Sequence, residues 1–106
     1  MEAADLVIDV GTPQDGRLPI ALAGDLDMPA TFKLEPELER HIGADDVTRV
    51  VLDCAGVQFM DSAGLGTLLA TREHAQGLGV QLTVENPSPA MRRVLELTGT
   101  TQLLDS

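Results

Sequence analysis

Ser62 is the side chain of this sequence whose setting offers the most chemistry. It lies in the segment FMDSAGLG, residues 59–66, directly after the apolar run RVVLDC, residues 49–54. This order predicts a strand, a short loop and a helix that begins near Ser62. The first turn of a helix has free N–H groups and the positive end of the dipole, which together accommodate a phosphate. A serine at this place can cap the helix, act as a nucleophile or accept a phosphoryl group.

A nucleophilic serine needs a base within hydrogen-bond reach, and the sequence offers only His41 and His74. His74 follows Ser62 by twelve residues on the same predicted helix, a separation of ~18 Å. The Gly-x-Ser-x-Gly turn of many hydrolases is missing, since Met60 and Gly64 flank Ser62 at those positions. His41 remains open as a base, but solvated helix faces explain both histidines more simply. We therefore predict no catalytic residues and no enzyme.

Four carboxylates are the other candidates for chemistry. Asp25, Asp27, Asp53 and Asp61 could supply oxygen ligands for Mg²⁺. Each also has a simpler structural role: Asp25 and Asp27 in turns, Asp53 at a strand end and Asp61 near a helix cap. No zinc-type Cys/His spacing and no phosphate-binding P-loop occurs, and Lys33 is the only lysine. The sequence predicts no metal and no cofactor.

Two glycines stand in the first turns of the helix that follows Ser62. Gly64 and Gly66 each cost that helix about 1 kcal/mol relative to alanine. A glycine in such a place permits close approach of another backbone, from the sheet or from a second protein. A helix that bears this cost at its exposed start is a candidate docking surface.

Composition limits which partners and which cellular compartment can be expected. The 106 residues suffice for a single domain, and seven basic against seventeen acidic residues give a net charge of −10. Such a chain is repelled by nucleic-acid backbones and anionic lipid, so we predict no nucleic-acid and no membrane partner. Cys54 is the only cysteine, which excludes an internal disulfide. The sequence carries no recognisable signal peptide or membrane span, which predicts a cytoplasmic protein.

The hydrophobic pattern predicts an α/β domain with a small mixed sheet and helices packed on it. The predicted order is β-β-α-β-α-β-α, with strands at 6–10, 18–22, 49–54 and 80–84, helices at 62–76 and from Pro89 to Gly99, and a short final strand at 101–104. Pro19 places the second strand at an edge or turns its nitrogen away from a ladder. The clean alternation of 80–84 predicts one polar face on the fourth strand.

The first helix has two possible starts. Leu34, Leu38 and Ile42 repeat every four residues, which indicates one helical face. Pro36 suits the first turn of a helix that begins near Glu35. A helix that begins near Pro29 and kinks is the alternative.

These segments together resemble the STAS domain family and, within it, bacterial anti-sigma factor antagonists. The resemblance rests on GDLD (24–27), VVLD (50–53), VQFMDSAGLG (57–66), GVQL (79–82) and SPAMRRVL (88–95). It covers nearly the whole chain, so residues 1–106 are predicted to be a single STAS domain. The block Asp-Ser-x-Gly-Leu-Gly is its most specific part.

The resemblance implies a switch between protein partners. In this family the unmodified antagonist binds an anti-sigma factor, which then releases its sigma factor. The anti-sigma factor is itself a kinase that uses ATP and Mg²⁺. The kinase phosphorylates the serine that matches Ser62, the antagonist is released, and a PP2C-type phosphatase resets the switch. Many relatives carry a hydroxyl where this chain has Ala63, so Ser62 is the only hydroxyl of the block. The alternative is a STAS scaffold or complex subunit that is never phosphorylated, as in stressosomes or lipid transport.

The same resemblance implies a partner-binding surface around Ser62. Asp27 matches a family acidic residue close to the phosphorylated serine. The predicted partner-binding residues are Asp27, Asp61, Ser62, Ala63, Gly64, Leu65 and Gly66.

Overall fold

A mixed four-stranded sheet and three α-helices make up the computed structural model, which describes residues 4–104. In chain order the elements are β1 (Val7–Val10), β2 (Arg17–Leu26), α1 (Met28–Ile42), β3 (Arg49–Met60), α2 (Ser62–Gly77), β4 (Gln81–Glu85), α3 (Pro89–Thr98) and a final 3-10 turn (Thr101–Leu104). The predicted fold class and order are confirmed. The predicted strand at 101–104 is wrong, because left-handed Gly99 (φ 68°) redirects the chain and the turn buries Leu103.

The sheet has the order β1-β2-β3-β4, with β1 antiparallel to β2 and the other three strands parallel. The crossovers through α1 and α2 move in the same direction across the sheet, so right-handed connections place both helices on one face. The two helices contact each other there. Alternate residues of β2, Leu18, Ile20 and Leu22, are buried in the core. β3 is an interior strand between β2 and β4.

Two strand predictions hold only in part. β2 is an interior strand, so the edge alternative for Pro19 is wrong, whereas the other alternative fits, because the β1 ladder ends beside Pro19 at the pair Val10 with Ile20. The Pro19 carbonyl still accepts a hydrogen bond from the Gly11 N–H at 2.8 Å. On β4 the predicted polar face is present but only partly solvated, since Gln81 and Glu85 are exposed whereas Thr83 between them is buried. The strand contacts both α2 and the final turn.

Helix α1 begins at Met28, which confirms the earlier of its two predicted starts. Its buried positions, Ala30, Leu34, Leu38 and Ile42, repeat every four residues and form one face toward the core. Pro36 lies inside this helix on its exposed side. A proline there removes one backbone hydrogen bond but does not disturb the packed face.

The helix ends follow the sequence closely, with one shift. Ser88 caps α3 by accepting the Met91 N–H at 3.1 Å, and Gly99 ends that helix as predicted. Gly43 is the C-cap of α1. Helix α2 ends at Gly77, one residue beyond the predicted end at 76, and the chain turns at the left-handed Gly79 (φ 76°). Within residues 4–104 no helix is long and apolar enough to cross a membrane.

Cys54 is a fully buried residue of β3, and burial, together with the charge of Asp53, raises its pKa to about 12. The neutral thiol therefore persists at any ordinary pH. We expect the native protein to resist alkylation by iodoacetamide at pH 8, and to react fully after unfolding in guanidinium chloride. Because the pKa is 9.0 in an unperturbed thiol, unfolding above pH 9 releases a proton. The contribution of Cys54 to stability thus falls as pH rises from about 9 toward 12.

Candidate functional site

Two parallel strands end side by side and start two helices in the same way. Leu26 and Met60 are register partners at the ends of β2 and β3. Each is followed by an aspartate that caps the next helix: Asp27 has φ −104° and ψ −178°, and Asp61 has φ −104° and ψ −177°. The first turns of α1 and α2 therefore lie together at one edge of the sheet.

Asp61 joins these two first turns with one carboxylate. Its Oδ1 accepts the Gly64 N–H at 2.9 Å, which caps α2, and its Oδ2 accepts the Met28 N–H at 3.2 Å, which belongs to α1. Asp27 caps its own helix by accepting the Ala30 N–H at 3.1 Å. The bond from Met28 to Asp61 holds the neighbours of Asp27 and Ser62 together, so the geometry brings the predicted acidic residue to the same end as the serine.

Ser62 is the first residue of α2 and is exposed. The capping role that the sequence left open for Ser62 belongs to Asp61, so the hydroxyl is not needed by the helix. The N–H groups of Ser62 and Ala63 lie in the first turn, where a helix offers no internal acceptor. The site thus combines a free hydroxyl with two backbone donors of a helix start.

The predicted partner-binding residues of α2 divide into two groups. Gly64 and Leu65 are buried, whereas Ser62 and Gly66 are exposed and Ala63 is partly buried. A methyl group on Gly64 would overlap the carbonyl oxygen of Leu26 and lie 2.9 Å from its carbonyl carbon. A methyl group on Gly66 would meet nothing within 4 Å. The fold therefore requires the first glycine and not the second.

An exposed apolar pair on α1 was missed by sequence reasoning. Met28 and Phe32 are 58% and 74% exposed, and they follow each other by one helical turn. A signal was present, because both fall outside the buried set spaced by four on this helix. Phe59, just before the site, is also half-exposed, so neither of the chain's two phenylalanines is in the core.

Negative charge dominates this end of the molecule. Asp27 and Asp61 flank the site, and the cations of α1 are already engaged: Lys33 donates to the Leu6 carbonyl at 2.6 Å, and Arg40 pairs with Glu37. Arg72 lies ten residues after Ser62 on α2, a distance of ~15 Å along the axis. A new negative charge on Ser62 would find no neighbouring cation on α1 or α2.

Neither histidine can serve Ser62 as a base. His74 lies on α2 at ~18 Å from Ser62, as the spacing predicted. His41 was the open alternative, but it is near the end of α1, thirteen residues and ~20 Å beyond the first turn that adjoins Ser62. It contacts Glu37 at 3.3 Å instead.

The carboxylates considered as Mg²⁺ ligands have structural partners. Asp25 accepts the Ala4 N–H at 3.1 Å from within β2, and Asp53 accepts the Ala55 N–H at 3.1 Å from within β3. The predictions that Asp25 lies in a turn and Asp53 at a strand end are therefore wrong, because both strands extend further than the apolar runs. Among residues 4–104 no group of three or more His, Cys, Asp or Glu side chains is arranged to hold a metal ion.

Comparison with known proteins identifies the family. A family model described as "Mlab, STAS domain" matches residues 12–105. The chain belongs to the STAS domain family. The resemblance inferred from the sequence is thereby confirmed.

Relatives of this STAS chain include anti-sigma factor antagonists. It is 31% identical over 80 residues to an anti-sigma F factor antagonist of Lysinibacillus sphaericus, which covers 76% of this chain and 68% of that protein. A crystal structure of an anti-sigma factor antagonist from Mycobacterium paratuberculosis matches with a TM-score of 0.81 and 30% identity, covering 95% of this chain and 84% of the other. Unphosphorylated SpoIIAA, an anti-sigma factor antagonist, shares the fold with a TM-score of 0.79 at 23% identity, covering 92% and 85%.

Proposed function

We propose that this STAS domain is a non-catalytic anti-sigma factor antagonist that is switched by phosphorylation of Ser62. One observation carries the proposal: the Ser62 hydroxyl is exposed at a helix start while Asp61 performs the capping. A modification of that hydroxyl therefore costs the fold little. The similarity to anti-sigma factor antagonists supports an anti-sigma factor as the partner. We further propose that this anti-sigma factor is itself a serine kinase.

The electrostatics of the site explain how phosphate would cause release. A phosphate adds about −1.5 to −2 charges at pH 7. The N-terminus of α2 stabilises it by about 0.3–1 kcal/mol, and the neighbouring carboxylates of Asp61 and Asp27 oppose that gain. On α1 and α2 no cation is placed to pair with this phosphate: the Lys33 ammonium is directed to the Leu6 carbonyl, Arg40 pairs with Glu37, and Arg72 lies ~15 Å along α2. Release then follows from repulsion and desolvation at the interface rather than from unfolding.

In this cycle the chain supplies the acceptor and the docking surface, and it requires no cofactor of its own. The kinase brings ATP and Mg²⁺, and a PP2C-type phosphatase removes the phosphate. Asp27, Asp61, Ser62, Ala63 and Gly66 form the proposed contact surface, with Gly64 and Leu65 beneath it holding α2 against the sheet. We place this cycle in the cytoplasm, where a sigma factor acts.

Phosphoryl transfer to Ser62 is the direct test. Each anti-sigma factor kinase of the source organism is purified and incubated with the wild-type chain, Mg²⁺ and ATP, and the intact mass is measured. We expect one added phosphate on the wild type with one kinase, none on Ser62→Ala, and its removal by a PP2C-type phosphatase. A phosphate that persists on Ser62→Ala would contradict the assignment of the serine.

A STAS scaffold or complex subunit without phosphorylation is the second candidate. It is favoured by the matching family model, whose description names Mlab rather than an antagonist. Under this function no kinase adds phosphate to Ser62, and Ser62→Ala and wild type assemble equally with their partner. The mass measurement above therefore separates the two functions.

A further inference from the structure

The pair Met28 and Phe32 on α1 forms an exposed apolar surface, which we call the α1 ridge. Both side chains are more than half exposed, and their spacing of four places them one above the other on the helix. Leu97 on α3 is equally exposed, but its apolar neighbour one turn away, Val94, is partly buried and packs against the core. Scattered single apolar residues are ordinary on a protein surface, whereas an adjacent pair beside a candidate site is not.

The α1 ridge lies on the same side of the molecule as Ser62. Lys33 leaves α1 toward β1, because its Nζ donates to the Leu6 carbonyl. At 100° per residue, Met28 and Phe32 point 100–140° away from Lys33, and thus away from β1. The Met28 N–H also bonds to Asp61, the residue before Ser62. The Met28 end of the ridge therefore adjoins the exposed start of α2, and Phe32 extends the apolar surface by one helical turn.

Acceptors and negative charge surround the ridge. Asp27 and Asp61 lie next to Met28, at the N-terminal end of the ridge. Glu35 is exposed one helical turn after Phe32 on α1. Pro36 has no N–H to offer the Phe32 carbonyl, which leaves a backbone acceptor at this exposed turn. The net charge of −10 adds a long-range attraction for a basic surface.

We propose that the α1 ridge is the hydrophobic anchor of the partner interface, and that it inserts into an apolar pocket of the anti-sigma factor bordered by Arg or Lys side chains. This inference rests on the proposed function for the identity of the partner. Helix faces with anchors at positions i and i+4 bind apolar grooves in many complexes. The anchor supplies affinity, and Ser62, beside it, supplies the switch.

Photo-crosslinking tests the surface without assuming the partner. Benzoylphenylalanine replaces Phe32 in one variant and Leu97 in a control of matched exposure, and both are irradiated in living cells of the source organism. We expect a single adduct from position 32 and none from position 97. We expect mass spectrometry to locate the crosslinked site of the partner in an apolar segment with flanking Arg or Lys residues. Absence of the adduct, equal adducts at both positions, or an acidic target segment overturns the proposal.

The affinity of variants for the crosslinked protein then tests whether Phe32 contributes binding free energy. With the crosslinked protein purified, we expect Phe32→Ala to raise Kd by roughly 30-fold or more, as truncation of an interface hot spot does, and Leu97→Ala to leave it unchanged. Circular dichroism is expected to show both variants folded, since both side chains are exposed. Equal affinity of Phe32→Ala and wild type overturns the proposal.

The outcomes separate this inference from the proposed function. An adduct with a protein that is neither a kinase nor an anti-sigma factor rejects the proposed function and the partner assigned to the ridge. Phosphorylation of Ser62 by a kinase that binds Phe32→Ala as tightly as wild type retains the proposed function and rejects the anchor.

Discussion

Ser62→Asp is expected to remain folded and to bind the anti-sigma factor about 30-fold more weakly than the wild type. The substitution places a negative charge on an exposed position that the fold does not use, since Asp61 caps α2. The helix N-terminus tolerates that charge, so the free energy of unfolding should change by less than ~1 kcal/mol. An interface that buries an unpaired charge loses about 2 kcal/mol of binding free energy, which corresponds to the 30-fold increase in Kd.

Two variants serve as controls for that result. Ser62→Ala removes the hydroxyl without adding charge, and we expect it to bind as tightly as the wild type and to resist release by ATP. Gln76→Glu adds one negative charge to an exposed position of the same helix, ~21 Å from Ser62. Isothermal titration calorimetry at two salt concentrations measures all of them. Wild-type affinity in Ser62→Asp, or an equal loss in Gln76→Glu, would contradict a switch located at Ser62.

Local patterns in the sequence were sufficient to predict most of the fold. Alternate apolar residues in β2, apolar residues every four positions in α1, and the Ser88 cap of α3 all act within a few residues of the chain. These residues are buried whenever the apolar face of their strand or helix packs against the core, so the local pattern is enough to predict them. The 3-10 turn at 101–104 escaped prediction because its position depends on left-handed Gly99 and on the pocket that receives Leu103.

The sequence singled out the residues of the candidate site, whose role stays a prediction, but not the contacts that hold these residues together. The motif around Ser62 was evident from the sequence, yet the bond from the Met28 N–H to Asp61 joins residues 33 positions apart. No periodicity or spacing records such a tertiary contact. The same bond shows that Asp61 can hold two helices while the side chain of its neighbour, Ser62, stays exposed. The α1 ridge was missed for a related reason, since exposure depends on how α1 lies against β1 and α2.

Gly64 and Gly66, the two glycines in the first turns of α2, should respond in opposite directions to the same substitution. Gly64→Ala places a methyl group against the carbonyl of Leu26, a backbone atom at the end of β2 that cannot move aside alone. We expect this variant to lose about 3 kcal/mol or more of its free energy of unfolding, which is a large part of the stability of a small domain. Thermal unfolding measures the loss as a fall in Tm.

Gly66→Ala should instead raise the free energy of unfolding by up to ~1 kcal/mol, because the methyl group meets open space and alanine favours the helix. Its affinity for the anti-sigma factor should fall by about tenfold or more, since the bare backbone one turn beyond Ser62 would no longer admit close approach of the partner. Gly77→Ala is the matched control: it is also open, and it lies at the far end of α2.

A stability gain shared by Gly66→Ala and Gly77→Ala, with affinity lost only in the former, would identify Gly66 as a residue kept for binding at the expense of the helix. Wild-type affinity in Gly66→Ala would remove it from the contact surface. Gly64 would not be affected by that result, because its absence of a side chain is required by Leu26 whether or not a partner is present. The two glycines of the motif are thus subject to different constraints: packing against the sheet requires Gly64, and binding of the partner would require Gly66.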